Sequence, residues 1–445
     1  MSRRYFGTDG VRGTVGTPPM TVDFALRLAS AAARVLAPEG GTVLIGKDTR
    51  LSGYMFEAAL EAGFTAAGVN VLLAGPLPTP GVAYLCRELG AEFGLVISAS
   101  HNLYDDNGIK IFAAGGEKLS DEQERAIEAL LEEPPLTRES SSLGHARRVD
   151  QARVDYQDFC KTMLPDSASL AGFKLVIDCA HGAAYKVAPR VLAELGAEII
   201  PIGCSPNGRN INQGCGSTQP ELLATTVTGV GARMGIALDG DGDRCVLVDG
   251  AGGLIDGDQI LFILACDAAE RGELRGPVVG TVMSNLGLEQ ALEARGIGFR
   301  RAAVGDRYVM AMLKQDGGQL GGETSGHIIN LARTSTGDGL ATALQVLEVM
   351  RRTGRDLADL AGEMPKLPQV MINVRVARRV DLDSAPGVAD SVAQAEESLG
   401  DDGRVVLRAS GTEPVIRVMV EARDAGQART TAEQLAEVVR AAAEH

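Results

Sequence analysis

Short runs of β-branched and other apolar residues alternate with helical patterns along almost the whole chain. This alternation is typical of α/β folds, in which helices cover the faces of a largely parallel sheet. The first predicted helix begins after Thr21, whose hydroxyl can cap it, and ends before Pro38. The pattern as a whole predicts an α/β protein.

One supersecondary unit occurs three times along the chain. In each copy an apolar strand leads into a helix that stops at a glycine, and a second strand follows that glycine. The first copy has strands over 42–46 and 69–74 with Gly68 between them, and the second has strands over 174–178 and 198–202 with Gly196. The third has strands over 278–282 and 297–302 with Gly296. The repeat predicts three related α/β domains.

The last part of the chain lacks the repeated unit and begins near Pro365 and Pro368. Its pattern predicts strands over 370–376, around Val405 and over 415–420, with helices over 389–399 and from about Ala428 onwards. A segment of this length is enough for a small domain of its own.

Three breaks in the pattern divide the chain. Residues 132–142 contain adjacent prolines and consecutive serines, which indicate a loop. A turn at 250–253 precedes Asp256, which is expected to cap a new helix. Together with the prolines before the last segment, these breaks predict domains over 1–153, 154–253, 254–367 and 368–445.

Charge and composition exclude several classes of function. The 445-residue chain has a formal net charge of −15, so a broad surface for nucleic acid or for an anionic membrane has no electrostatic basis, and we expect neither partner. Seven scattered cysteines form no C-x-x-C pair, and no apolar run of roughly 18 residues or N-terminal signal region occurs. These features predict a cytoplasmic protein.

The motif with the clearest chemistry is Asp239-Gly-Asp241-Gly-Asp243-Arg244, which lies between two predicted strands, 234–238 and 245–249. In an extended chain alternate residues project to one side, so the three carboxylates are expected to converge. Two such charges ~4 Å apart repel by roughly 4 kcal/mol at an effective dielectric constant near 20. Because hard oxygen ligands suit Mg²⁺, the motif predicts a magnesium site.

Two other interpretations of this motif differ in strength. An EF-hand is excluded, because its sixth position would be Arg244 instead of glycine and its twelfth would be Gly250 instead of glutamate. A polar hairpin turn without a metal is the remaining alternative.

A second motif, Ser98-Ala-Ser100-His101-Asn102, follows another predicted strand. A hydroxyl on a loop at the carboxyl end of a parallel strand is well placed to meet a ligand, so Ser100 is a candidate nucleophile. The motif has no G-x-S-x-G elbow and adjacent Ser and His do not form a hydrolase triad. The alternative is an ordinary Ser-Asn turn.

Residues 41–48 nearly match the phosphate-binding G-x-x-x-x-G-K-[ST] loop. The match ends in Asp48 instead of serine or threonine, and the residues between its glycines favour a strand. We therefore exclude a P-loop nucleotide hydrolase.

Two further loops carry groups that suit a sugar phosphate. One presents a carboxylate, a hydroxyl and an imidazole, from Glu323, Ser325 and His327, although a plain β-turn is equally consistent with it. The other offers two guanidinium groups, two hydroxyls and flexible amides to a phosphate, from Arg408, Ser410, Gly411, Thr412 and Arg417, with a solvated turn as the alternative.

Taken together, these motifs resemble those of the α-D-phosphohexomutase superfamily. The matching segments are 5–13, 97–102, 282–289 and 410–414, so the resemblance spans nearly the whole chain. Within the superfamily the segments are most similar to the bacterial branch that acts on glucosamine phosphates. The resemblance implies four domains around a central cleft: three related mixed α/β domains and a smaller C-terminal α+β domain.

The resemblance also implies an activity, that of an isomerase for hexosamine phosphates. Phospho-Ser100 would interconvert glucosamine 6-phosphate and glucosamine 1-phosphate through the 1,6-bisphosphate, supplying UDP-N-acetylglucosamine synthesis. Such an enzyme requires one Mg²⁺ per subunit and phosphorylation of Ser100, and is compatible with a homodimer. A phosphomannomutase or phosphoglucomutase, a catalytically silent sugar-phosphate sensor and a Mg²⁺-dependent phosphatase remain alternatives.

The resemblance assigns roles to individual residues. Those implied to bind Mg²⁺ are Asp239, Asp241, Asp243 and an oxygen on Ser100. Those implied to lie near the reacting groups are Arg12, His101, Lys110 and Arg244, with Lys110 and His327 as candidates for proton transfer. Those implied to hold the substrate are Glu323 and Ser325 at the sugar, and Arg408, Ser410, Gly411, Thr412 and Arg417 at the phosphate that is not reacting.

The chain departs from the family pattern at three positions. Leu103 and Ala409 replace prolines, and Thr324 replaces a glutamine. None of these changes removes a side chain that is assigned to chemistry. Leu103 is expected to loosen the loop of Ser100.

Overall fold

The computed structural model describes residues 4–376, 387–409 and 415–444. The described residues form four β-sheets, with six, five, four and three strands in chain order. The first three are mixed sheets associated with helices and the last is a small antiparallel sheet, which confirms the predicted fold class. The exact domain boundaries stay predictions.

The first sheet and its helices occupy the N-terminal third of the chain. Its elements are β1 (Val11–Thr14), α1 (Val22–Leu36), β2 (Gly41–Lys47), α2 (Ser52–Ala66), β3 (Val69–Pro76), α3 (Thr79–Glu88), β4 (Phe93–Ile97), β5 (Asp106–Ala113), α4 (Asp121–Leu130) and β6 (Ala146–Arg148). The strand order is β1-β5-β4-β2-β3-β6. Helix α1 begins as predicted, because the side chain of Thr21 accepts a hydrogen bond from the amide of Phe24.

The second and third sheets follow in the same manner. The elements of the second segment are α5 (Ala152–Lys161), β7 (Lys174–Asp178), α6 (Ala188–Glu194), β8 (Glu198–Ile202), α7 (Glu221–Val230), β9 (Met234–Leu238), β10 (Cys245–Asp249) and β11 (Leu254–Ile255). Those of the third are α8 (Gly257–Glu270), β12 (Val278–Thr281), α9 (Leu286–Glu293), β13 (Phe299–Ala302), α10 (Asp306–Asp316), β14 (Leu320–Gly322), β15 (Ile328–Asn330), α11 (Gly339–Thr353) and α12 (Leu357–Ala361).

The fourth sheet is antiparallel and lies in the last part of the chain, where the absence of the repeated unit predicted a small domain. Its elements are β16 (Gln369–Arg375), α13 (Val388–Leu399), β17 (Gly403–Ala409), β18 (Val415–Ala422) and α14 (Ala425–Glu444), and its strand order is β16-β18-β17. Helix α14 begins earlier than predicted. The reason is Asp424, whose carboxylate accepts a 2.7 Å hydrogen bond from the amide of Gln427 and caps the helix.

The predicted threefold repeat is confirmed by the sheet topology. The strand pairs β2/β3, β7/β8 and β12/β13 are each parallel neighbours. Gly68, Gly196 and Gly296 have φ angles of 86°, 96° and 70°, in the left-handed region that favours glycine. These glycines let the chain leave each helix and turn back into the sheet.

The three repeats share a longer strand order, and this order positions the site. The sheets contain β5-β4-β2-β3, β10-β9-β7-β8 and β15-β14-β12-β13, so corresponding strands occupy corresponding places. In each sheet a parallel strand is followed by an antiparallel one, β4 by β5, β9 by β10 and β14 by β15. The loops of Ser100, the three aspartates and His327 are these three connections.

Buried apolar side chains form one large core that links the first three sheets, since it runs from Leu44 and Val96 through Leu238 to Leu344. The fourth sheet has a core of its own around Val418 and Leu435. Among the described residues, no helix is long and apolar enough to cross a membrane.

Candidate active site

Ser100 lies in the loop after β4, and its side chain is buried. Its hydroxyl donates a 2.5 Å hydrogen bond to Oδ2 of Asp239. Its φ angle is +51°, a left-handed conformation that is uncommon for a residue with a side chain. The amide of Ser100 donates to the hydroxyl of Ser98 at 3.0 Å. The loop therefore holds the hydroxyl against the aspartates of the second sheet.

The three aspartates converge as predicted, but not for the predicted reason. One carboxylate oxygen from each of Asp239, Asp241 and Asp243 lies within 4.8 Å of the others. The connection from β9 to β10 is a turn and not an extended strand, because Gly242 has a φ angle of +73° and donates its amide to the carbonyl of Asp239 at 3.1 Å. The turn, and not strand alternation, brings the carboxylates together.

The aspartates fit a hard divalent cation. All three are buried, and Oδ1 of Asp241 and Oδ1 of Asp243 have no hydrogen-bond partner. Buried polar atoms are normally hydrogen-bonded, so two buried carboxylate oxygens without a hydrogen bond in this cluster indicate a place for a ligand. Oxygen donors alone favour Mg²⁺ over softer metals.

Lys110 on β5 is the cation closest to these carboxylates. Its Nζ lies 2.8 Å from Oδ2 of Asp241, 3.2 Å from Oδ2 of Asp243 and 2.9 Å from Oδ2 of Asp9. Burial by itself lowers the pKa of Lys110, but these carboxylates outweigh it and raise the pKa well above its usual value. Lys110 therefore stays protonated and donates hydrogen bonds to Asp241 and Asp243.

Two arginines complete the positive side of the site. The backbone amide of Arg244 donates to Oδ1 of Asp239 at 3.2 Å, and its Nε lies 3.7 Å from Oδ1 of Asp243. Arg12 pairs with Asp9, which also contacts Lys110. Burial opposes ionisation of Asp9, yet its cationic neighbours hold the pKa of this carboxyl well below its usual value. The predicted cations thus surround the predicted carboxylates.

The pKa values of the two predicted histidines shift in opposite directions. Burial, followed by the charges of Arg244 and Arg12, lowers the pKa of His101 to about 4. Burial also acts to lower the pKa of His327, but Asp243 outweighs it and raises the pKa. Nδ1 of His327 lies 3.7 Å from Oδ1 of Asp243. His327 thus joins the third sheet to the site.

The loop of Glu323 is a β-turn that also presents polar groups. The amide of Gly326 donates to the carbonyl of Glu323 at 2.9 Å, which is the turn that the plainer interpretation expected. Oε1 of Glu323 accepts a 3.0 Å hydrogen bond from the amide of Gly305, and Ser325 is exposed.

Arg408 and Arg417 lie directly opposite each other on β17 and β18. Both are partly exposed, on the face away from the buried Ile416 and Val418. Like charges in this position destabilise a sheet unless an anion lies between them. Within the described ranges, no hydrogen bond or ion pair joins these arginines to the aspartates. The rest of the predicted phosphate loop, Ser410, Gly411 and Thr412, lies outside the described residues.

Comparison with known sequence families matches all four segments of the chain. The matching descriptions are phosphoglucomutase/phosphomannomutase alpha/beta/alpha domain I over 3–137, domain II over 155–252, domain III over 256–367 and the C-terminal domain over 371–438. The chain belongs to the phosphoglucomutase/phosphomannomutase family. The resemblance that the motifs indicated is thereby confirmed.

Relatives within this family are similar over their full length. A phosphoglucosamine mutase of Thioalkalivibrio sulfidiphilus is 58% identical over 449 residues, with 100% of both chains covered. One of Thiobacillus denitrificans is 54% identical over 451 residues, covering 100% of this chain and 98% of the relative.

Solved structures with lower sequence identity share the fold. A family protein of Burkholderia thailandensis has a TM-score of 0.82 at 24% identity, covering 98% of this chain and 97% of its own. The N-acetylphosphoglucosamine mutase of Aspergillus fumigatus, solved with GlcNAc-6P and magnesium, has a TM-score of 0.70 at 18% identity, covering 99% and 96%.

The departures from the usual phosphoglucomutase/phosphomannomutase pattern are now placed in the structure. Leu103 is half exposed beside the Ser100 loop, and Ala409 is exposed at the end of β17. Thr324 donates its hydroxyl to Oδ2 of the buried Asp258 at 2.9 Å. Thr324 therefore ties the turn of Glu323 to helix α8.

Sequence reasoning missed several side chains of the site. Lys118 bridges Asp9 and Asp306, with its Nζ 2.6 Å from an oxygen of each. Oγ1 of Thr79 donates to Oδ2 of Asp241 at 2.6 Å. Arg50, which donates hydrogen bonds to the backbone of the Ser100 loop, was also missed. It follows β2, whose carboxyl end lies beside that of β4. The neighbouring strand ends could have indicated that Arg50 lies near Ser100. Lys118 and Thr79 lie in no recognisable motif, so the sequence offered no such indication for them.

Proposed function

We propose that this chain is a phosphoglucosamine mutase, which interconverts glucosamine 6-phosphate and glucosamine 1-phosphate. The observation that carries the proposal is the buried Ser100 hydroxyl on Asp239, within a cluster of carboxylates and cations. The relatives that are 54–58% identical support the amino-sugar substrate. The product then supplies UDP-N-acetylglucosamine synthesis.

Asp239, Asp241 and Asp243, with an oxygen on Ser100, would hold one Mg²⁺. When bound, this ion supplies positive charge that offsets the charge of a phosphoryl group. The buried Oδ1 atoms of Asp241 and Asp243, which have no hydrogen-bond partner, support this assignment.

The side chains of the protein position the reacting groups and move the protons. In the first half-reaction the phosphoryl group leaves Oγ of Ser100 and forms a bond to the free hydroxyl of the sugar phosphate. The proton of that hydroxyl has to reach Oγ of Ser100, which is released as the free serine hydroxyl, and Lys110 and Arg244 offset the negative charge that develops during the transfer. Lys110 and His327 are the candidates for moving protons at the reacting oxygens. The reverse transfer restores phospho-Ser100.

The bisphosphate must turn end for end between the two transfers. A second anion site has to hold the phosphate that is not reacting in each half-reaction. The opposed guanidinium groups of Arg408 and Arg417, together with Ser410, Gly411 and Thr412, are suited to this, and Glu323 and Ser325 are suited to the sugar hydroxyls. One reactive centre then serves both ends of the hexose.

Parallel assays test this proposal. Purified protein is incubated with Mg²⁺ and either glucosamine 1-phosphate, glucose 1-phosphate or mannose 1-phosphate, and kcat/KM is compared. We expect the highest value for glucosamine 1-phosphate, and an intact mass that is heavier by one phosphate, mapping to Ser100. A preference for a neutral hexose phosphate would instead indicate a phosphoglucomutase or phosphomannomutase. Steady release of phosphate would indicate a phosphatase, and no turnover would indicate a sensor.

The proposal includes a cytoplasmic enzyme that acts on small molecules. All seven cysteines are free thiols, which fits a reducing compartment.

A further inference from the structure

The loop of Ser100 is held by a buried arginine that the mechanism above does not use. Arg50 is fully buried after β2. Its Nη2 donates to the carbonyls of Ser100 at 3.3 Å and of Asn102 at 2.5 Å. Its Nη1 pairs with Asp48 and donates to the hydroxyl of Ser98 at 3.4 Å. One guanidinium thus binds the loop at three points.

The same two carbonyls accept hydrogen bonds from a residue of the second segment. Nδ2 of Asn212 donates to the carbonyl of Ser100 and to that of Asn102, both at 2.8 Å. Asn212 is buried and has a φ angle of +58°. Two donors from separate segments therefore converge on the same stretch of backbone.

The aspartate turn packs against this arrangement. A Cβ atom at Gly240 would lie 2.6 Å from the carbonyl oxygen of Ser100 and 2.7 Å from Nδ2 of Asn212. Only glycine allows such a close approach. The backbone of Ser100, the amide of Asn212 and the turn of the aspartates are thus in direct contact.

We propose that Arg50 and Asn212 are positioning residues that hold Ser100 in its left-handed conformation, with Oγ directed at the aspartates. This inference rests on the proposed function, because in-line phosphoryl transfer depends on where the nucleophile lies. Neither residue touches the reacting atoms. Asn212 makes the position of Ser100 depend on the contact between the first two sheets.

Asn212→Gly is the decisive variant. Glycine adopts a positive φ without strain, so this change removes the amide and spares the backbone. Ala180→Gly is the matched control, since Ala180 has a φ of +52° and accepts a backbone hydrogen bond from Asn212, but donates nothing to the Ser100 loop. Arg50→Lys retains the charge beside Asp48 and loses the guanidinium.

Two measurements are made on each protein: kcat and KM for glucosamine 1-phosphate, and hydrogen exchange of the amides in 98–104. We expect kcat of Asn212→Gly and of Arg50→Lys to fall about 10- to 100-fold while KM stays at the parent value. Exchange in the loop should accelerate in both variants and not in Ala180→Gly. The double variant should lose less than the product of the single losses, because both residues hold the same carbonyls.

Parent-like kcat and parent-like loop exchange in Asn212→Gly would overturn the inference, even if Arg50→Lys fails to fold. Equal losses in Ala180→Gly would also overturn it, because they would show a general effect of glycine in this region. A parent protein without mutase activity would refute the proposed function, and loop exchange would then still decide whether Arg50 and Asn212 hold the loop.

Discussion

The Ser100 hydroxyl lies 2.5 Å from Oδ2 of Asp239, although 139 positions separate the two residues in sequence. Each follows the corresponding strand of its own sheet, β4 or β9. Burial, followed by the charges of Asp243 and Asp241, raises the pKa of Asp239 well above its usual value. The site thus concentrates negative charge that a cation would relieve, next to the hydroxyl that would carry the phosphoryl group.

Replacing Ser100 should abolish the mutase reaction and leave the fold intact. Ser100→Ala removes the side-chain oxygen that carries the phosphoryl group in the proposed reaction, so we expect a loss of roughly a thousandfold or more in kcat. The phosphate adduct should disappear from the intact mass. Ser140→Ala, at an exposed position, is the control and should keep both. Unchanged turnover in Ser100→Ala would show that another group carries the phosphate.

Magnesium should stabilise the protein through the three aspartates. At about 100 times its dissociation constant, a ligand specific for the folded state adds about 2.7 kcal/mol to the free energy of unfolding. We expect Mg²⁺ to raise the melting temperature of the parent, and excess chelator to reverse the rise. Asp241→Asn should lose this response and its activity. Asp150→Asn removes one exposed carboxylate elsewhere and should respond like the parent.

If Asp241→Asn keeps the full magnesium-dependent rise in melting temperature, the ion binds at another place. If chelator leaves the turnover of the parent unchanged, the assignment of a magnesium enzyme is wrong.

Arg417 should contribute to substrate binding and not to folding. Charge-assisted hydrogen bonds contribute about 1.5–3 kcal/mol each, so Arg417→Met should lower kcat/KM by about 10- to 150-fold. The melting temperature should stay the same or rise, because the opposed charge of Arg408 loses its like-charged neighbour. Arg423→Met, an exposed arginine just after β18, is the control. Parent-like kinetics in Arg417→Met would remove this strand pair from the phosphate site.

Asp258 should make the stability of the protein depend on pH. Its carboxyl is buried under the turn of Thr324, and this burial, with the nearby charge of Asp256, raises its pKa to about 6. Asp256 is itself paired with Lys366. Since an unfolded aspartate has a pKa of about 3.9, ionisation of Asp258 disfavours the folded state as the pH rises from about 4 to 6. The loss is roughly 3 kcal/mol.

Asp258→Asn removes this titration. The free energy of unfolding of the parent, relative to that of the variant, should therefore fall between about pH 4 and pH 6 and stay level above pH 7. Urea unfolding at several pH values measures it. A difference that does not change with pH would show that Asp258 keeps an ordinary pKa in the folded protein.

Many local elements of the fold were predictable because they depend on neighbouring residues. The cap at Thr21, the glycines after the repeated helices and the strands on both sides of the aspartates all occur where the pattern placed them. The cap at Asp424 was missed, although its side chain accepts a hydrogen bond from an amide only three residues further along the chain. This cap could therefore have been predicted from the local sequence. The aspartate turn was misjudged because a glycine at positive φ breaks strand alternation.

The chemistry of the site was predictable as residue types, and its assembly was not. Ser100 and Asp241 stand out in the sequence through their motifs, whereas the role of Lys110 was implied by the resemblance to the family. That Arg50 and Asn212 bind the same two carbonyls, or that Lys118 bridges Asp9 and Asp306, follows only from the packing of separate sheets. Hydrogen bonds and ion pairs form between groups a few ångströms apart in space, and the number of residues between those groups in the sequence does not determine which of them meet. The order of residues therefore determined which groups this protein has and the elements that hold them, while the tertiary fold decided which of them meet.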